Sequence, residues 1–496
     1  MDSLNPSRHS RSLRYRQLMW FLATLLALLP VLCIPIRGIS LPGITIAQAY
    51  LGLTVLGMIV VSLIDSVLFG VLERKTILLA TFAGLLLSVP VLSALRLDVS
   101  LSGGGFESTD AIMPLLQIAL AIGWIAFVAR CNWQSDNVWR TMLILALPIY
   151  AMQCLLWLTS GLSTPFVGLG YDKNEIGSAA VVTFLMGLAA IQGLPLRSLR
   201  FGGGLALMAA SLVMLLASDS RSNQLLLVLS GVFYVGIRLS HVIRNVRLFA
   251  FPVLMITALM VPFIYLKMAD QQGSGTSSVG TSDRGLYTGR QHIWPDVIAG
   301  IKEHPSLGHG KRFAKRYKYQ ERENFFLDAH NLYLGTAYHS GLFGLSLLVL
   351  MFFYIWYELS RRWDHSHLAV ISQCFFAGLI MQQSLEASLI HSGHIASLAY
   401  IVVLAMGLSV KVPGRTERYE EDDQYFETEF DEQDEYVEDD EYVEDDEYDD
   451  ADDAYDGGED EFDGQLEYGD GEDYEYEEEF DDGSQPSDDS YHPEIR

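Results

Sequence analysis

Residues 201–240 read FGGGLALMAASLVMLLA-SDSRS-NQLLLVLSGVFYVGIRLS. Two apolar runs, 201–217 and 223–240, flank a polar turn, Ser218-Asp219-Ser220-Arg221-Ser222. A helix needs roughly 20 apolar residues to cross the hydrocarbon core of a bilayer. The pair therefore reads as two membrane spans joined by a tight turn, with an arginine held at the turn.

Working outward in both directions, ten more runs of this kind appear: 17–36, 44–71, 76–95, 111–129, 141–160, 174–194, 248–267, 329–358, 367–384 and 395–412. The predicted fold is an all-α polytopic membrane protein of about 12 transmembrane helices. Residues 44–71 carry Asp65, so one end is expected to reach the interface, and 329–358 is long enough to include an oblique outer portion. The first run has a basic flank, Arg8, Arg11, Arg14 and Arg16, like a secretory leader. Its apolar stretch is too long, and no small-x-small cleavage site follows at Cys33-Ile34-Pro35, so it reads as an uncleaved anchor.

Loop charges orient the chain. With residues 1–16 cytoplasmic, the inner segments hold Arg74/Lys75, Arg130/Arg140, Arg197/Arg200, Arg238/Arg244/Arg247, Arg361/Arg362 and Lys411/Arg415/Arg418. Short outer loops hold only Arg37, Arg96, Lys173 and Arg221. This is the asymmetry of the positive-inside rule. The long basic segment, 268–328, between spans nine and ten, falls outside; long loops are exempt from the rule. An even span count returns the C-terminus to the cytoplasm.

Composition agrees with this division. The chain of 496 residues has net charge −28, yet half of it is hydrophobic and its mean hydropathy is +0.22. From Arg415 onward there are 41 acids and 3 bases, so the preceding body carries 20 acids and 30 bases. An ordinary soluble globule is excluded, and so is any reading of the global charge as a statement about the body's partners. Within the body, 17–412 forms the membrane part, and 413–496 is an acidic cytoplasmic tail. The tail repeats Glu-Tyr-Val-Glu-Asp-Asp at 435–440 and 441–446. Such a segment lacks the apolar surface to offset ordering entropy and is expected to be disordered. It reads either as a docking site for a basic cytoplasmic partner or as a solvating extension. Cys33, Cys131, Cys154 and Cys374 are scattered without ligand-like spacing and read as buried apolar residues.

Polar residues forced to a membrane edge are where a polytopic protein does its chemistry. Three places qualify, all on the outer side. The first is the turn Ser218-Asp219-Ser220-Arg221-Ser222-Asn223; a guanidinium suits phosphate or carboxylate, although an arginine at a span end also suits lipid headgroups. The second runs from Gly289-Arg290 through Trp294 to His304-Pro305-Ser306-Leu307-Gly308-His309-Gly310. Here Ile293, Trp294, Val297, Ile298 and Ile301 recur at helical spacing, which predicts an amphipathic surface helix from near Arg290 to Pro305. His292, His304 and His309 lack metal-ligand spacing, so no metal site is read. The third is Asp328-Ala329-His330-Asn331-Leu332-Tyr333; a histidine there suits a general base or a hydrogen-bonded interfacial group. Between the second and third lie Lys311, Arg312, Lys315, Arg316, Lys318 and Arg322, interleaved with Phe313, Tyr317 and Tyr319. Anionic headgroups or a phosphorylated lipid fit this stretch, as does a solvated face; nucleic acid does not fit outside a membrane.

Together these places resemble the O-antigen ligase family of bacterial surface-polysaccharide enzymes. The resemblance is carried in order by Ser220-Arg221, by Gly289-Arg290 with Trp294, by His304-Pro305 with Gly308 and Gly310, and by His330-Asn331 with Tyr333-Leu334 and Gly341-Leu342-Phe343-Gly344. Lys173-Asn174, before the sixth span, is similar to a further family position. One departure stands at His339, where the family often has an acid. The resemblance implies a GT-C-like membrane glycosyltransferase, free of metal or other cofactor, in the bacterial inner membrane with its active face periplasmic. Its donor would be a polyprenyl-pyrophosphate-linked glycan and its acceptor lipid A core or another glycan. Arg221 and Arg290 would hold the pyrophosphate and His330 would activate the acceptor hydroxyl, with inversion at the sugar carbon. Supporting positions would be Asn331, Asn174, Lys173, Trp294, Lys311, Arg312, Lys315 and Arg316. A repeat-unit polymerase of the same family is the alternative. A twelve-span transporter fits less well, because the long loop does not separate two six-span halves and the polar groups sit at the outer face rather than mid-membrane.

Overall fold

The computed structural model describes residues 6–41, 44–45, 52–54, 56–57, 74–97, 108–129, 131–170, 172–239, 246–272, 290–310, 315–319, 322–327, 329–387, 389 and 395–410. The chain divides between Asp423 and Gln424, and every described residue belongs to the first unit. The acidic tail, most of the 44–71 run with Asp65, and residues 273–289 lie outside the described residues.

Among the described residues the helices are α1 (Pro6–Cys33), α2 (Arg74–Leu97), α3 (Ser108–Ala129), α4 (Asp136–Thr159), α5 (Lys173–Ile191), α6 (Leu199–Ala217), α7 (Arg221–Leu239), α8 (Val246–Gln272), α9 (Arg290–Glu303), α10 (Leu332–Arg362), α11 (His367–Gln382) and α12 (Ile395–Leu408). All but α9 fall on apolar runs of the sequence. Six of them, α2, α4, α5, α6, α8 and α10, are long and apolar enough to cross a bilayer; α1, α3, α11 and α12 contribute shorter apolar stretches. This is a multi-pass membrane protein. Helix is the form such runs must take, because hydrocarbon offers no partner for an open N–H or C=O. Large apolar side chains such as Ile144, Val253 and Ile256 face outward, as they do where the solvent is lipid.

Helix α5 is the centre of the bundle. Its sequence, KNEIGSAAVVTFLMGLAAI, is rich in small residues and buried along nearly its whole length. Small residues let helix backbones approach closely in a membrane. At Gly177 the approach is decisive: an added Cβ would lie 2.8 Å from Ser220 Cβ and 2.9 Å from Asn223 Nδ2. The glycine thus makes room for the Ser220-Arg221 turn against α5.

Two ends of the bundle are distinguishable by their hydrogen bonds. At one, Lys75 Nζ donates to Leu408 O at 2.9 Å and Arg362 Nε donates to Val410 O at 3.0 Å, with Arg362 also ion-paired to Glu358. At the other lie the starts of α5, α7 and α10 and the end of α11. There Arg37, just past α1, forms an ion pair with the buried Glu175 near the start of α5.

The sequence reading missed two short antiparallel hairpins. β1 (Ser40–Leu41) pairs with β2 (Ile44–Thr45). β3 (Lys315–Tyr319) pairs with β4 (Arg322–Leu327), with a register shift between Tyr317 and Tyr319. The second hairpin falls on the basic, aromatic stretch, whose Tyr and Phe residues favour strand but whose charge kept it outside every apolar run.

Candidate active site

The amphipathic spacing between Arg290 and Pro305 is realised as α9. Ile293, Trp294 and Val297 are fully buried, packed with Ala329 and Leu334 against Tyr265, Leu266 and Tyr338. The loop that follows docks into α10. Helix α10 breaks at Gly341, whose φ of +66° and ψ of −172° are not helical. Into that break fits the His304–Gly310 loop: Leu342 N donates to Pro305 O at 2.7 Å, Phe343 N to Ser306 O at 3.2 Å, His309 N to Tyr338 O at 2.9 Å and Gly310 N to His339 O at 3.0 Å. Ser93 Oγ of α2 adds a bond to Gly308 O at 2.7 Å. His309 stacks on Tyr338 with centroids 4.3 Å apart, and its Nε2 lies 2.8 Å from Gly300 O. These motif residues serve architecture: they fix α9, and with it Arg290, to the start of α10.

That start carries His330. Ala329 O accepts from Trp294 Nε1 at 2.8 Å, and Asn331 caps α10 by accepting from Leu334 N at 2.9 Å. Asn331 Nδ2 reaches across to Ser384 O at 2.6 Å. Between these two anchors His330 adopts a left-handed backbone, φ +45°. That conformation is uncommon for a residue with a side chain and persists only where its surroundings enforce it. The His330 side chain is 47% exposed, and its Nδ1 faces Glu386 Oε2 at 3.7 Å.

Glu386 is shared. Its Oε1 lies 3.7 Å from Arg290 Nη2, and the same Nη2 donates to Leu385 O at 2.7 Å. Arg290 Nε is buried without a hydrogen-bond partner among the described residues. A guanidinium held at one edge, with buried donor capacity remaining, can take an anionic oxygen. The Leu385–Glu386 turn therefore brings Arg290 and His330 to one place. In the sequence Glu386 stands only as one of two acids, with Asp65, near span interiors. Its signal was the polar run Gln382-Gln383-Ser384 closing an apolar helix.

Arg221 arrives from a different direction, as the first residue of α7. Its neighbours Ser218, Ser220, Ser222 and Asn223 are all buried, while Arg221 itself is exposed. Asp219 takes a left-handed φ of +52° to make the turn. Ser220 Oγ donates to Asn174 Oδ1 at 2.9 Å, and Asn223 Nδ2 donates to Asn174 O at 2.9 Å. Asn174 thus holds the Arg221 turn from the first turn of α5, where Asp172 caps the helix through Asn174 N at 2.6 Å. Lys173 opens the same helix. The N-terminal ends of α5, α7 and α10 share this end of the bundle, and each contributes a partial positive charge suited to an anion.

Of the remaining expected positions, Lys311 and Arg312 lie outside the described residues. Lys315 and Arg316 lie on β3, their side chains outside the described set. Among the described residues no group of three His, Cys, Asp or Glu is placed to hold a metal ion. Cys131 and Cys374 are buried and all four cysteines are free thiols.

Residues 206–349 match the family model described as O-antigen ligase. The match runs from α6 into α10 and contains Arg221, Arg290, the docked loop, His330 and Gly341; Asn174, Gln382 and Glu386 lie outside it. No curated protein matches the chain.

Proposed function

We propose that this member of the O-antigen ligase family transfers a glycan from a polyprenyl-pyrophosphate carrier to an acceptor hydroxyl at the outer face of the bacterial inner membrane. The observation that carries the reading is the placement of Arg290 and His330 on opposite sides of one carboxylate, Glu386. In the transfer, the acceptor oxygen forms a bond to the sugar C1 as the bond from C1 to the pyrophosphate oxygen breaks. The acceptor proton passes to His330. With Nδ1 toward Glu386, the accepting nitrogen is Nε2, and the carboxylate stabilises the imidazolium that results. The leaving pyrophosphate gains charge as the bond breaks, and Arg221 and Arg290 take that charge. Attack from the face opposite the leaving group inverts the anomeric centre, and fixed cations let the reaction proceed without metal.

A carboxylate beside an arginine competes with an anionic ligand. At 3.7 Å rather than hydrogen-bond distance, Glu386 orients Arg290 without saturating it. The termini would be cytoplasmic, so that the +10 body meets its anionic donor outside while the −38 tail stays inside.

The test is glycan transfer by the purified full chain in nanodiscs, with a polyprenyl-pyrophosphate-linked glycan as donor and a lipid A core acceptor. Arg221→Ala, Arg290→Ala and His330→Ala should each slow turnover by ~10²-fold or more, the usual range for such groups. Near-normal turnover in well-expressed variants would sink the assignment. The glycan of a deletion strain separates two roles of the same chemistry: free lipid-linked polymer marks a ligase, single repeat units a polymerase.

A further inference from the structure

The two arginines of the clamp come from helices distant in sequence, and one residue touches both supports. Gln382 closes α11. Its main-chain carbonyl accepts from Leu385 N at 2.8 Å and from Glu386 N at 3.0 Å, forming the turn that contacts Arg290 and His330. Its side chain points the other way: Nε2 donates to Asn223 Oδ1 at 2.9 Å. Asn223 lies two residues beyond Arg221. Its Nδ2 spends both protons on the Arg221 turn and on α5, donating to Ser220 Oγ at 2.8 Å and to Asn174 O at 2.9 Å.

The connection is buried and saturated. Ser178 Oγ and Tyr400 OH each lie 3.1 Å from Asn223 Oδ1, and Ser178 Oγ donates to Asn174 O at 2.8 Å. Tyr400 OH lies 2.7 Å from Ser178 Oγ, and Gln382 Oε1 accepts from Gln383 Nε2 at 3.0 Å. Asn223, Gln382 and Gln383 are at most 1% exposed, and Tyr400 is fully buried. A buried polar network with every member paired is rigid, and it specifies one arrangement of the helices that carry it. Holding a bundle together would not require amides: the aromatic and aliphatic contacts of α11 with α7 and α12 already do that. What the network adds is a directional tie between two particular turns.

We propose that Gln382, supported by Asn223 and Tyr400, is a positioning residue that sets the spacing between Arg221 and Arg290, and so tunes the site to a pyrophosphate. This rests on the pyrophosphate clamp proposed above, but it makes a separate claim, testable by binding alone.

The experiment measures the affinity of the full chain in nanodiscs for undecaprenyl pyrophosphate, beside its thermal midpoint. Gln382→Leu keeps the volume and removes the donor; Tyr400→Phe is the milder change. Ser372→Ala is the control, since Ser372 Oγ ties α11 to α12 through Val403 O at 2.6 Å outside the network. Gln382→Leu should weaken binding about tenfold and Tyr400→Phe about threefold, the scale of one lost buried hydrogen bond. Ser372→Ala should change it less than twofold at a comparable thermal midpoint. In an Arg221→Ala background, Gln382→Leu should add nothing to Kd, because its effect passes through Arg221. Equal effects in both backgrounds, wild-type affinity in Gln382→Leu and Tyr400→Phe, or no binding by the wild-type chain would each overturn the proposal. Tight binding that depends on Gln382 in a chain that transfers no glycan would retain the positioning role and overturn the proposed function.

Discussion

Gly341→Ala removes the break in α10 that receives the His304–Gly310 loop. At φ +66° and ψ −172° the backbone is in a region that only glycine occupies readily. A Cβ there would lie 2.2 Å from Ser306 O, 2.3 Å from Ser306 C and 2.5 Å from Leu307 N. All three are backbone atoms, which cannot rotate aside. Two responses are open to the chain. It can keep the dock and bear backbone strain of about 1–3 kcal/mol plus the clash. Or it can release the loop and lose the four backbone hydrogen bonds between 305–310 and 338–343, each with a net worth of about 1 kcal/mol. Either route costs about 3–4 kcal/mol locally, and the second also frees α9 and Arg290. The expected outcome is a clear fall in thermal midpoint in nanodiscs and at least tenfold slower glycan transfer. Gly231→Ala in α7 is the matched control: nothing lies within 4 Å of its added Cβ, and alanine is the better helix former by about 1 kcal/mol. If the two variants melt and turn over alike, the docking account of Gly341 is wrong.

Glu386→Gln keeps the shape of the shared carboxylate and removes its charge from both Arg290 and His330; turnover should fall about 10- to 100-fold with little change in thermal midpoint, read from initial rates on the purified chain. Trp294→Phe deletes the buried donor to Ala329 O beside His330, a loss of about 0.5–1.5 kcal/mol, to be seen as a lower thermal midpoint together with slower transfer. Truncation after Pro413 should leave transfer in purified protein unchanged while altering recruitment of cytoplasmic proteins in pull-downs; loss of transfer would show that tail and body do not act separately.

The apolar runs were legible because membrane crossing imposes a length and a composition that need no partner to be recognised. Arg221, Arg290 and His330 stand out in the sequence as candidates because charged and titratable groups at span ends are costly and their order along the chain matches a family pattern. What escaped has a common cause. Glu386, Gln382, Asn223 and Tyr400 stand on α7, α11, α12 and the turn after α11, and only helix packing brings them together. Their hydrogen bonds leave no periodicity. Glu386 in particular reads as one acid near a span interior until Arg290 and His330 are seen on either side of it. The β3–β4 hairpin escaped because its aromatic residues are interleaved with four bases, Lys315, Arg316, Lys318 and Arg322, a pattern that charge alone reads as a surface.

The most recognisable motif forms a backbone joint. His304-Pro305-Ser306-Leu307-Gly308-His309-Gly310 and Gly341-Leu342-Phe343-Gly344 stand in the sequence as two separate parts of the family resemblance. In the structure they are two sides of one backbone joint. Its necessity follows from the solvent. A helix broken near a membrane must satisfy the carbonyls and amides it exposes, and α10 breaks where Ser340 and Gly341 are buried. An irregular loop pressed into the break supplies those partners, but only if both strands of the joint lack side chains at the closest approach. Gly308 and Gly341 meet there: a Cβ on Gly308 would lie 2.5 Å from Gly341 N. The pattern of glycines is thus fixed by contact rather than by reaction. The chemistry proposed for this chain falls to the few charged groups beside the joint, the Asn331 cap and the Gln382 turn.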